Sequence, residues 1–116
     1  MAAWAPKSLT LLCQKGDVKA VQAGLLRGAA IAEGVTLARE FGNRPGNQCT
    51  PTWLGQQAKK IGKAFDLEVD VLDRKAVEKL GMGAFLAVSQ GSEEPLRFIV
   101  ARYQGGNNAG HTVQVG

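Results

Sequence analysis

The sequence predicts an α/β fold: an incomplete mixed sheet flanked by helices, with a long N-terminal connecting helix. Three observations lead there. Between about Asp17 and Phe41, Val18, Val21, Leu25, Gly28, Ala32 and Val35 recur at alternating spacings of three and four, one stripe of a helix. Leu67, Val69 and Val71 alternate with Glu68 and Asp70, the period of a half-buried strand. Between and after these stretches, strand-like and helical runs alternate, as they do in layered α/β proteins.

Length and composition allow such a fold. A chain of 116 residues is one domain by length and can bury roughly two thirds of its unfolded surface. Hydrophobic content of 45% and charged content of 21% are ordinary, and fifteen glycines beside four prolines indicate turns and close backbone contacts rather than disorder. No apolar run approaches the roughly 18 residues of a membrane span, and the N-terminus lacks a signal segment, so a cytoplasmic, non-membrane protein is expected. Cys13 and Cys49 are too few for a disulfide framework and read as reduced thiols. The net charge of +4 raises a nucleic-acid reading, but the positive charges are scattered. Their one cluster, Lys59, Lys60 and Lys63, falls on the polar side of a helix and reads as a solvated face.

Taken in order, residues 1–7 form a linker, and Ser8–Cys13 is a short apolar strand pattern without an obvious partner. A turn over Gln14–Asp17 leads into the long helix. Leu26, Ala30, Leu37 and Phe41 add a second apolar strip to it, so it is covered on more than one side. Gly24, Gly28 and Gly34 each cost about 1 kcal/mol relative to alanine in a helix, a cost that another backbone packed against them would explain. Gly42, Pro45, Gly46 and Pro51 then enforce a rigid polar turn. Thr50 is placed as an N-cap with Pro51 at the first helical position, and Leu54, Ala58, Ile61 and Phe65 mark an amphipathic helix from about Pro51 to Ala64. After the strand at 67–71, Asp73 is set to cap a short helix over about Arg74–Leu80. Gly81-Met82-Gly83 breaks it, and Ala84–Val88 reads as a helical turn. Ser89–Pro95 is polar loop and Leu96–Tyr103 a strand centred on Phe98, Ile99 and Val100. A turn over 104–110 precedes strand-like His111–Val115, after which the sequence looks cut rather than finished.

Chemistry is hard to place on this frame. Asp17, Asp66, Asp70 and Asp73 are spread over turns and one strand with no ligand spacing, so no metal residue is assigned. Glu68 and Asp70 share one side of a strand, where two carboxylates serve solubility more often than acid–base work. Cys49 and His111 could make a thiol–imidazole pair, but no local feature brings them together. Gly81-x-Gly83 lacks the third glycine and preceding strand of a dinucleotide site. Catalytic, cofactor-binding and metal residues are all expected to be absent from these 116 positions.

The turn reading Asn43-x-Pro45-x-Asn47-x-Cys49-Thr50-Pro51 resembles the segment that enters the catalytic domain of the leucyl aminopeptidase (cytosol aminopeptidase) family. The resemblance continues through Ile31–Val35 and Leu37–Arg39, which are similar to the family's interdomain helix. It extends through Leu80–Val88, Gln90–Ser92 and Pro95–Tyr103, and covers roughly residues 8–116. It implies three segments: 1–16 as the end of an N-terminal domain or linker, 17–42 as the interdomain helix, and 43–116 as the start of the catalytic domain. It also implies a hexameric exopeptidase of peptide catabolism that uses two divalent ions, zinc or manganese, to remove N-terminal residues, often leucine.

In that family the strand corresponding to Thr112–Gly116 runs into a Lys-Gly pair and an aspartate before Gly-Gly, and the remaining ligands follow later. None of those positions falls within 116, so the chain alone is expected to lack activity. A second reading is a small binding or assembly module, with DNA binding through the basic surface, a property known among bacterial members of the family. Uncovered apolar faces on the long helix and the incomplete sheet further predict self-association.

Overall fold

The apolar stripe that opens near Asp17 forms one unbroken helix, α1, over Val18–Asn43. The computed structural model describes residues 8–104, and the chain divides between Asn43 and Arg44 into two compact units. In the first unit, a single 3-10 turn at Lys15–Asp17 leads into α1, with the Asp17 N–H donating to the Gln14 carbonyl at 2.9 Å. The helix runs two residues past Phe41, taking in Gly42 and Asn43. None of its residues is buried, and Leu26 and Ile31 are 76% and 59% exposed.

Two expectations fail in this unit. Ser8–Cys13 is not a strand, and Leu9 and Leu12 lie exposed. A strand satisfies its backbone groups through a neighbour, and among the described residues none pairs with this stretch. Among the described residues, the glycines of α1 are not packed against a backbone either: a Cβ built at Gly24, Gly28 or Gly34 meets none of their atoms within 4 Å.

The second unit holds α2 (Pro51–Phe65), β1 (Glu68–Leu72), α3 (Arg74–Lys79), α4 (Gly83–Val88) and β2 (Phe98–Arg102). Local chemistry fixes the helix ends as the sequence predicts. Thr50 stays extended and its side-chain oxygen accepts from the Trp53 N–H at 3.2 Å, with Pro51 in the first turn. Asp73 does the same for α3, accepting from the Ala76 N–H at 2.9 Å. Gly81, at φ +68°, ends α3 with its N–H on the Glu78 carbonyl while the Met82 N–H reaches Val77, a paired closure that favours glycine. At the end of α2 that left-handed position falls to Asp66, at φ 54°, a residue type that tolerates it. Ser89–Gly91, expected as loop, forms a 3-10 turn, with the Ser89 hydroxyl donating to the Leu86 carbonyl at 2.8 Å.

The cap at Thr50 carries a prediction. Thr50→Ala removes the acceptor for Trp53 and should lower stability by about 1 kcal/mol, whereas Thr50→Ser should be within a few tenths of the parent. Urea titration followed by circular dichroism distinguishes the two. Equal midpoints for both variants would mean the cap contributes nothing.

β1 and β2 pair antiparallel, with Val69 opposite Ala101 and Val71 opposite Ile99. These four residues share one face, and α2 lies against it: a Cβ at Gly55 would sit 3.0 Å from Val71 Cγ1, and one at Gly62 only 2.6 Å from Val69 Cγ2. Close packing against glycine is thus found in α2, where the neighbours are chiefly the valine side chains of the sheet. On the other face, Phe98 meets Phe85 of α4 edge to face at 5.3 Å between ring centres. Val77 of α3 is fully buried, and Leu96 and Val100 complete the buried core. The expected mixed sheet is represented by this antiparallel pair. Residues 1–7, the turn expected over 104–110 apart from Gln104, and the strand-like His111–Val115 lie outside the described residues.

Candidate functional site

Three groups of polar side chains in the second unit could carry function: the entry turn before α2, the ionic cluster on the sheet, and the lysine face of α2. In the entry turn, the Pro45 carbonyl accepts from the N–H groups of Gln48 and Cys49, at 2.9 and 3.0 Å. The turn delivers Thr50 to its capping position. Across it, the Arg44 guanidinium carbon stands 5.0 Å from the centre of the Trp53 ring, a cation–π contact of the kind that contributes roughly 0.5–1 kcal/mol near a surface. Both side chains are half-buried, so the contact clamps the turn to the first turn of α2. This pairing was not foreseen from the sequence, although Arg44 and Trp53 bracket the two prolines that fold the chain back.

The ionic cluster joins the two strands. Glu68 and Asp70 do share one side of β1, but they do not simply face solvent, because Arg102 of β2 lies between them. Its Nη1 donates to Asp70 Oδ2 at 2.7 Å and stands 2.9 Å from Glu68 Oε1. The hydrogen bond to Asp70, then the charge of Glu68, raise the guanidinium above its already high pKa. Two carboxylates engaged by one guanidinium act as an ion-paired cross-strand clasp, not as a free base and acid. The signal lay in the pairing of the strands: Glu68 is directly opposite Arg102 in the antiparallel register.

Several other acidic residues have structural duties, among them Glu78, whose Oε1 stands 3.9 Å from Arg74 Nη1 one turn away on α3. Asp73 caps α3, Asp66 terminates α2, and Asp17 lies in the 3-10 turn before α1. Among the described residues, no three His, Cys, Asp or Glu side chains gather as a metal set would. Cys13 is exposed and Cys49 half-buried, both free thiols, and His111 lies outside the described residues, as does any pairing of it with Cys49. Gly81-x-Gly83 is accounted for by the closure of α3. Lys59, Lys60 and Lys63 are exposed on α2, while Gly55 and Gly62 of the same helix are buried against the sheet. No helix among the described residues is long and apolar enough to cross a membrane.

A sheet with α2 on one face and α4 on the other, joined by the short α3, makes this a mixed α/β protein. Within that class, the chain belongs to the cytosol aminopeptidase family: the profile of the "Cytosol aminopeptidase family, catalytic domain" matches residues 36–116. The chain is 60% identical over 103 residues to a probable cytosol aminopeptidase of Methylibium petroleiphilum, covering 89% of this chain and 21% of that protein. A probable cytosol aminopeptidase of Bordetella petrii is 50% identical over 115 residues, 95% of this chain and 23% of that protein. One from Pseudomonas aeruginosa is 53% identical over 100 residues, 85% of this chain and 20% of that protein. The chain thus spans about a fifth of the length of these relatives.

An aminopeptidase of the kind the resemblance implies needs a two-metal centre, and the described residues do not fit one. The carboxylates of Glu68 and Asp70 are both engaged by Arg102, and among the described residues no group of three possible ligands forms.

Proposed function

We propose that this chain is the supporting portion of a cytoplasmic, two-metal leucyl aminopeptidase that removes N-terminal residues from peptides, and that it performs no hydrolysis alone. The observation that carries the reading is the family match over residues 36–116 together with a polar inventory devoted to caps, a turn clamp and a cross-strand clasp. In this reading α1 connects an N-terminal domain to the catalytic one, and α2, β1, α3, α4 and β2 form the first layer of the catalytic domain. The metal ligands and the residues shaping substrate preference belong to the Lys-Gly and aspartate segment and its successors, and the whole enzyme assembles as a hexamer. The lysines of α2 remain a solvated face, which keeps the helix soluble on the side turned from the sheet.

Two assays test this. The 116-residue chain, supplied with Mn²⁺ or Zn²⁺, should release no p-nitroaniline from leucine p-nitroanilide above the buffer blank, and titration calorimetry should show no site tighter than millimolar. Turnover by the chain, or micromolar metal binding, would overturn its supporting role. The complete polypeptide encoded around it should hydrolyse the same substrate in a metal-dependent way, and inactivity there would overturn the aminopeptidase reading itself.

The exposed apolar residues also predict association. Val18, Leu25, Leu26, Ile31 and Val35 are all between 39% and 76% exposed on α1, and large exposed apolar surfaces mark interaction sites. Light scattering on the chain at high micromolar concentration should give a mass above that of one 12.3 kDa copy. A monodisperse monomer would refute this.

A further inference from the structure

We draw no further inference here: the strongest candidate, the exposed apolar and glycine-bearing face of α1 from Val18 to Val35 in the first unit, already underlies the expectation of self-association, and nothing in the structure shows what covers it.

Discussion

Val77→Asp is expected to leave residues 44–104 without a cooperative folded state. Val77 has no exposed surface and sits in the middle of α3, whose two ends are fixed by Asp73 and Gly81. The helix cannot rotate the new side chain outward without giving up one of those closures. A carboxylate held there loses the packing of the valine and must either lie unpaired in an apolar setting or take up a proton. The combined loss is roughly 4 kcal/mol or more, against a total stability of about 5–15 kcal/mol for an ordinary domain. Among the described residues the core beside it is small, with Leu96 and Val100 as the other buried large apolar residues, so little is left to compensate. Far-UV circular dichroism in a urea titration should show a sloping loss of signal without a transition. A sigmoidal transition within 1 kcal/mol of the parent would show that Val77 is not central to the core.

The second large effect is at Gly62, and its sign runs against helix propensity. Alanine in place of glycine inside a helix normally gains about 1 kcal/mol. At Gly62 the added carbon would stand 2.6 Å from Val69 Cγ2, 3.2 Å from Val69 Cβ and 3.1 Å from the Leu67 carbonyl oxygen. Val69 is β-branched and stiff, and the carbonyl belongs to the link between α2 and β1, so neither can retreat cheaply. Overpacking of this kind costs typically 1–3 kcal/mol. Set against that gain, the overpacking should leave Gly62→Ala destabilised by up to about 2 kcal/mol, and Gly62→Leu should prevent α2 from seating on the sheet. Gly28→Ala, in open space on α1, is the opposite control and should raise the stability of its helix by up to about 1 kcal/mol. If chemical denaturation ranks Gly62→Ala at or above the parent, the close contact is not the determinant of that glycine.

These two sites show which parts of the fold were legible in advance. Features decided within a few residues were read correctly: the Thr50 and Asp73 caps, the break at Gly81, and the helical choice for the apolar run after Met82. Their physics is local, since an N-cap needs only an acceptor and an amide three residues on. Features that depend on distant chain were not. Ser8–Cys13 has the composition of a strand but, among the described residues, no partner to make it one. The clasp among Glu68, Asp70 and Arg102 required the pairing of two strands separated by both short helices. The glycines were misassigned for the same reason. Gly24, Gly28 and Gly34 drew attention by number, whereas Gly55 and Gly62, seven residues and two turns apart on one face of α2, are the pair that meets the sheet.

For function the balance was different. The segment-by-segment resemblance named the family, which the match over residues 36–116 establishes. The described residues then give the polar groups other work: Arg44 holds a turn, Arg102 holds two strands, Asp73 starts α3 and Asp66 closes α2. Side-chain types alone could not separate a capping aspartate from a ligating one, because both ask for an exposed oxygen at an irregular backbone position.

The pairing of β1 with β2 also bears on how the second unit comes together in time. The strands do not form a hairpin; residues 73–97 separate them, so their first hydrogen bonds wait on closure of a long loop, an entropic barrier that slows folding. That loop is not a free coil. Asp73 and Gly81 bracket α3, and the Ser89 hydroxyl turns back onto the last residues of α4, so both helices can begin to form from nearby contacts before the ends meet. Once the strands meet, the charges of Glu68, Asp70 and Arg102 favour one register among those they could sample.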